Sequence, residues 1–78
     1  MSRKSRIEVG LRVREARKMM SMTTTVLAKK VKISQAQISR LENGLQGFRQ
    51  ETLESIAKAL KVNPAEFFMK SGEVVTAF

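Results

Sequence analysis

Apolar residues recur with the 3.6-residue spacing of helices in four places along the chain, and sequence features of strands are nearly absent. The first helix is predicted over residues 7–20. Its inward positions follow helical spacing and are Val9, Val13, Ala16 and Met20. Its basic residues are predicted to face outward, and these are Arg12, Arg14 and Lys18. Residues 1–6 precede this pattern and are predicted to form a flexible basic arm.

The next two predicted helices are short and lie close together in the sequence. The second is predicted over residues 23–31, where threonine hydroxyls can accept hydrogen bonds from the N–H groups of its first turn. Ser34 and Gln37 form an S-x-x-Q capping box, which starts the third helix at Gln35. This helix is predicted to end at Asn43-Gly44, because glycine adopts the left-handed conformation that closes a helix.

Two further segments complete the predicted fold, which is an all-α, five-helix domain over residues 7–70. The fourth helix is predicted over residues 51–61, with an inward stripe of Leu53, Ile56, Ala57 and Leu60. Asn63 and Pro64 are typical of the start of a short fifth helix that runs through Met69 and buries Phe67. Residues 71–78, with the apolar stretch Val74–Phe78, are predicted to be either disordered or a dimer or partner contact.

The composition excludes several classes of function. A chain of 78 residues has room for one small domain and not for a large active-site cleft. It contains no Cys and no His, so disulfides, thiolate or imidazole metal sites and Ser-His-Asp nucleophiles are excluded. We therefore expect no enzymatic activity, no cofactor and no metal. Because there is no long apolar run and no signal-peptide core, a cytoplasmic location without membrane attachment is expected.

The net charge of +8 is concentrated in the N-terminal part of the chain. Residues 1–32 hold ten basic and two acidic side chains, whereas the remainder holds five of each. A basic segment indicates a polyanionic partner, either nucleic acid or an anionic membrane surface. The membrane alternative is weak because the apolar stripe of the first helix is small, lacks Trp and is needed for the core. A basic face that only maintains solubility is the other alternative.

Residues 24–43 place two helices of eight or nine residues on either side of a three-residue turn. So short a turn makes the helices cross steeply, and Ala28 is the small residue that such a crossing needs. The apolar residues that must face the core or the other helix are Leu27, Val31, Ile33, Ile38 and Leu41. This pattern is typical of a helix-turn-helix unit, although an ordinary αα-hairpin would show the same packing.

The predicted outward face of the third helix is polar and carries no negative charge. It presents Gln35, Ala36, Ser39, Arg40 and Asn43. Arg can pair with guanine O6 and N7, Gln with adenine N6 and N7, Ser with several bases, and Ala with the thymine methyl group. Each of these residues alone could be an ordinary solvated side chain, but five together on a basic domain favour sequence-specific binding of double-stranded DNA.

Four stretches of the chain together resemble the XRE-type helix-turn-helix regulators related to the lambdoid phage Cro and repressor proteins. They are Val9–Arg17, Thr24–Val31, Ile33–Gly44 and Glu51–Val62, and the most specific piece is Ile38–Gly44. The resemblance covers about residues 7–69. It implies transcription regulation, expected to be repression, by a homodimer on an inverted-repeat operator, with the second helix on the DNA backbone and the third in the major groove.

The resemblance also assigns roles to individual positions. It implies base contacts for Gln35, Ala36, Ser39 and Arg40, and for Gln37, whose capping role competes. It implies phosphate contacts for Thr24, Asn43, Gln46 and Arg49. The basic residues expected to add phosphate contacts are Lys32, Arg3, Lys4 and Arg6. Arg17 and Glu42 occupy the positions of a structural ion pair between the first and third helices.

Several positions depart from the pattern of the family. Thr24 stands where many relatives have Gln, and Ser21 replaces the usual Gly that closes the first helix. Lys32 replaces a turn Gly, so it either adopts a left-handed conformation at a cost of roughly 1 kcal/mol or reshapes the turn. The stretch Phe48–Gln50 leaves the fourth helix without a strong N-cap.

An XRE-type antitoxin, which neutralises a partner toxin and represses its own operon, is the alternative function. It would need a protein-binding surface in addition to the DNA-binding face. Leu45 and Phe48, predicted to be exposed, and the tail Val74–Phe78 are the candidates for a toxin contact or for dimerisation.

Overall fold

The structure, a computed structural model, describes residues 2–68, so the predicted tail at 71–78 lies outside the described residues. Its elements are α1 (Arg3–Met19), α2 (Thr24–Val31), α3 (Gln35–Glu42), α4 (Gln50–Leu60) and a short 3₁₀ helix (Pro64–Phe68). No strand occurs in the described range, and the predicted all-α fold is confirmed. The segment predicted as a fifth helix is this 3₁₀ helix and not an α-helix, and the Glu66 amide donates to the Asn63 carbonyl at 3.0 Å.

Helix α1 begins four residues earlier than predicted. Ser2 caps it, with the Ser2 Oγ accepting a hydrogen bond from the Ser5 amide at 3.1 Å. The prediction of a flexible arm is therefore wrong for residues 3–6, which form the first turn of α1. The apolar spacing starts only at Ile7, but the Ser2 cap starts the helix one turn before it.

The core lies between the four α helices and the 3₁₀ helix, and α3 enters it where it packs against α1 and α2. Its fully buried residues are Val9, Val13, Leu27, Ala28, Ile38, Leu53, Ile56, Ala57, Leu60 and Phe67. The predicted inward stripe of α4 and the burial of Phe67 are thus confirmed. Met20 was predicted to face inward, but it follows the end of α1 and is 39% exposed. No helix in the described part of the chain has the length and apolar character to cross a bilayer.

Two of the turns that follow helices have a non-glycine residue in the left-handed conformation. Lys32 ends α2 in a left-handed conformation, with φ 60° and ψ 41°. Of the two predicted outcomes, Lys32 therefore adopts the strained left-handed conformation that a glycine would adopt without strain. Ser21 after α1 is also left-handed, with φ 52°. Each non-glycine residue in this region costs roughly 1 kcal/mol. At Arg49, the N-cap position of α4, no side chain caps the helix, as expected.

Gly10 lies where α1 contacts the last turn of α3. A Cβ atom at this position would overlap the Leu41 carbonyl oxygen and would lie 2.7 Å from the Glu42 carbonyl oxygen. Because both neighbours are backbone atoms, we expect Gly10→Ala to lower the free energy of unfolding by about 1–3 kcal/mol. This clash should outweigh the gain of roughly 1 kcal/mol in helix propensity.

Urea denaturation measures the effect of Gly10→Ala, and Gly47→Ala provides the matched control. A Cβ atom at Gly47 would meet only the flexible Arg6 side chain, at the ordinary distance of 3.5 Å from its Cδ. We expect Gly47→Ala to be as stable as the wild type. Equal stability of the two variants would contradict the close approach of α1 to α3.

Candidate nucleic-acid interface

Helices α2 and α3 pack against each other. Ala28, the small residue predicted for their crossing, is buried. The capping box predicted for α3 is present. Ser34 Oγ accepts a hydrogen bond from the Gln37 amide at 3.1 Å, and Gln37 Oε1 accepts one from the Ser34 amide at 3.2 Å. The acceptor end of the Gln37 side chain is therefore used in starting α3.

The rotation of α3 is set by Ile38 and Leu41, which are buried on its inner side. The opposite face carries the residues that the sequence suggested for base contacts. Gln35, Ala36 and Arg40 are exposed, Ser39 is half-buried, and Gln37 is half-buried at the edge of the face. This face carries no acidic side chain.

Two of these side chains are held by residues outside α3. Gln35 Nε2 donates a hydrogen bond to Thr24 Oγ1, in the first turn of α2, at 3.1 Å. Arg40 Nε donates to Gln46 Oε1, in the loop after α3, at 3.1 Å. The exposed face therefore has a supporting contact at each end.

The residues predicted for phosphate contacts lie around this face. Gln46 is half-buried and Arg49 is exposed, and both line a cavity of about 420 Å³ between α3, the loop and α4. Lys32 is exposed and Thr24 half-buried, at opposite ends of α2. Asn43 is exposed, and its Nδ2 donates to the Ser39 carbonyl at 2.8 Å.

The first turn of α1 lies beside the loop that follows α3. The stem of Arg6 packs near Gly47, and Ile7 packs so closely on Gly44 that a Cβ there would lie 2.7 Å from Ile7 Cγ1. Arg3 and Lys4 are exposed on the same turn. Arg6 Nε is buried and has no hydrogen-bond partner within the described residues. The structure thus brings the predicted basic arm and the loop together, as a helix end and not as a flexible segment.

A buried ion pair joins α1 to the end of α3. Arg17 Nε lies 2.7 Å from Glu42 Oε2, and Arg17 Nη2 donates to Glu42 Oε1 at 2.9 Å. Arg17 Nη1 also donates to the Met22 carbonyl at 2.8 Å. The hydrogen bond with Glu42 raises the pKa of the Arg17 guanidinium above its ordinary value; the Glu42 charge acts in the same direction and burial in the opposite one. The Arg17 side chain is 12% exposed and that of Glu42 3%.

Arg14, predicted to face outward, is only half-exposed, and its side chain bends toward the end of α3. Its Nε lies 3.4 Å from Glu42 Oε1, and its Nη2 donates to Asn43 Oδ1 at 2.7 Å. Arg14 and Arg17 are three residues apart and therefore share one face of α1. That spacing is the signal that could have placed both arginines beside Glu42.

The loop residues predicted to be exposed behave differently from each other. Leu45 is 70% exposed. Phe48 is half-buried and packs against the core, so the prediction that it is exposed is wrong. An aromatic side chain next to an apolar core gains more from burial than from exposure, even in a loop.

Comparison with known proteins identifies the family. The helix-turn-helix family model (HTH_3) matches residues 13–67, which include α2, α3 and α4. The chain belongs to the XRE-type helix-turn-helix family. The family and the fold are those of DNA-binding transcription regulators.

Individual relatives agree with this assignment. The uncharacterized HTH-type transcriptional regulator y4wC of Sinorhizobium fredii is 35% identical over 60 residues, which are 77% of this chain and 42% of that protein. The chain thus spans less than half the length of this relative. Two crystal structures of the clp gene regulator ClgR from Corynebacterium glutamicum are 28% identical to this XRE-type domain over 81% of the chain. Their TM-scores are 0.78 and 0.79, with 82% and 67% of the respective ClgR chains covered.

Proposed function

We propose that the protein represses transcription by binding an inverted-repeat operator as a homodimer, with α3 of each protomer in the major groove. The observation that carries this proposal is the exposed polar face of α3, which is free of acidic side chains and is supported at both ends. One such helix reads only a few base pairs. Two protomers related by a twofold axis would read half-sites about 10 bp apart.

The chemistry of the face suits base edges. Arg40 is the proposed guanine reader, because its guanidinium can donate two hydrogen bonds to O6 and N7. Gln35 is the proposed adenine reader, while Ala36 and Ser39 would contact a thymine methyl group and a neighbouring base edge. The acceptor of Gln37 is used in the cap, which leaves its amide protons for a base.

Phosphate contacts would position the domain around this face. At both ends of α2 and in the loop after α3, the proposed contacts are Thr24, Lys32, Asn43, Gln46 and Arg49. The first turn of α1 would add Arg3, Lys4 and Arg6, because the structure places it beside that loop. The uncapped N-terminus of α4 directs free backbone N–H groups to the same region, where they would favour an anion.

Leu45 is the proposed centre of the dimer contact, because its large apolar side chain is 70% exposed beside the DNA-binding face. The other residues predicted for the dimer contact, Phe48 and Val74–Phe78, provide no further exposed apolar surface within the described residues. Phe48 is packed on the core, and Val74–Phe78 lies outside the described residues. The antitoxin alternative needs a toxin-binding surface, and its candidates are the same three: Leu45, Phe48 and the tail.

Arg40→Ala tests the proposed DNA-binding face. The substitution is expected to weaken binding to the preferred operator by about 1–3 kcal/mol and to relax base preference at one position in each half-site. Selection of bound duplexes from a random library, repeated with the variant, measures this preference together with half-site symmetry and spacing. An unchanged preference at every position would contradict the placement of Arg40 in the groove.

The same selected operator tests the homodimer. Sedimentation of the protein with and without this duplex gives the number of protomers bound. A one-to-one complex that binds a single half-site with undiminished affinity would contradict the proposed dimer.

A further inference from the structure

The end of α3 brings the following loop back alongside the recognition face. Gly44 is left-handed, with φ 71°, and the Leu45 amide donates to the Arg40 carbonyl at 2.9 Å, which is a helix-closing arrangement. Ile7 packs on Gly44 and holds this turn against α1. Gln46, which follows Leu45 in this turn, is thereby held beside Arg40.

The hydrogen bond between these two side chains joins a half-buried residue to an exposed one. Gln46 is half-buried and lines the cavity beside Ile33 and Leu41, whereas Arg40 is exposed. Gln46 Oε1 accepts from Arg40 Nε at 3.1 Å, which leaves both terminal nitrogens of the guanidinium free to donate. Those two nitrogens are a pair that can bind guanine O6 and N7 together.

We propose that Gln46 is a positioning residue that sets base preference through Arg40 without itself contacting the base. The inference rests on the proposed role of Arg40 and deepens it. It also differs from the phosphate contact expected for Gln46, because phosphate contacts carry no direct sequence information. The two roles use opposite ends of one amide: the oxygen accepts from Arg40, and only the nitrogen can donate to a phosphate.

Two substitutions of Gln46 by side chains of similar length separate the positioning role from the phosphate contact. Gln46→Glu keeps an acceptor for Arg40 and loses the donor, whereas Gln46→Met loses both. We expect Gln46→Met to reduce the preference for the correct base at the position read by Arg40 by roughly two- to tenfold, the equivalent of one side-chain hydrogen bond. We expect Gln46→Glu to keep that preference, even though its added negative charge weakens binding to every duplex. In an Arg40→Ala background, Gln46→Met should cause no further change in preference.

The measurements are the base preference at each operator position and the affinities for operator and scrambled duplexes, on variants shown by thermal unfolding to be folded. If Gln46→Met weakens binding to both duplexes equally and leaves the preference unchanged, Gln46 is a phosphate contact and the inference is overturned. The same conclusion follows if Gln46→Glu loses as much preference as Gln46→Met. If Arg40→Ala alone leaves the base preference unchanged, Arg40 does not contact a base. The role of Arg40 in the proposed function is then contradicted together with this inference, and the Arg40→Ala measurement distinguishes this case from the two above.

Discussion

Glu42→Ala is expected to lower the free energy of unfolding by about 3–5 kcal/mol, the range seen when one partner of a buried ion pair is removed. Glu42 is almost fully buried and accepts hydrogen bonds from both Arg17 and Arg14. Without it, the Arg17 guanidinium would keep only the Met22 carbonyl as a partner within the described residues. Urea denaturation monitored by circular dichroism measures the loss.

Arg40→Ala is the matched control for Glu42→Ala, because it lies two residues away on the same helix and its side chain is exposed. It should leave the stability unchanged and should alter base preference, whereas the folded fraction of Glu42→Ala should retain base preference. A stable Glu42→Ala protein without base discrimination, together with an unstable Arg40→Ala protein, would mean that α3 has the opposite rotation.

A second control separates the charge of Glu42 from its shape. Glu42→Gln keeps the size of the side chain and one acceptor for Arg17, but it removes the negative charge between two guanidiniums. We expect a loss of stability smaller than that of Glu42→Ala. An equal loss in both variants would show that the charge alone accounts for the contribution of Glu42.

The helix-turn-helix unit could be predicted from the sequence because its determinants are local. The capping box of Ser34 and Gln37 starts α3, and Gly44 closes it, within a span of eleven residues. The spacing of Ile38 and Leu41 then sets which face is buried, and the polar residues on the other face follow from helical geometry. The buried stripe of α4 was predictable for the same reason, since its residues are all close in sequence.

The features that escaped prediction depend on contacts between distant segments. The Arg14 side chain bends toward the end of α3 because Glu42, 28 residues later, lies within reach. Phe48 is in a loop, where no period indicates which side is buried, and only the neighbouring core decides its position. The bond from Arg40 to Gln46 requires the direction of two side chains across a turn, and helical spacing does not contain that information.

The affinity for operator DNA is expected to fall by roughly 10³- to 10⁵-fold between 50 and 200 mM salt, the decrease for a protein that makes about 6–10 phosphate contacts. The physical cause is the release of counterions when basic side chains neutralise phosphates. Residues 1–32 hold the whole net charge of +8, and the structure places the first turn of α1 beside the proposed DNA-binding loop. Binding measured at several salt concentrations tests this, and an affinity that does not depend on salt would exclude the electrostatic explanation.

The double variant Arg3→Gln and Lys4→Gln locates the source of this salt dependence. Both side chains are exposed on a helical turn, so they should bind phosphates without reading bases. For each phosphate that is no longer neutralised, the slope of log affinity against log salt should flatten by about 0.9, while the preferred operator stays the same. Lys58→Gln, an exposed lysine of α4 outside the proposed phosphate contacts, should leave the slope unchanged. If the double variant changes the preferred operator instead, these residues enter a groove, and the first turn of α1 takes part in sequence readout.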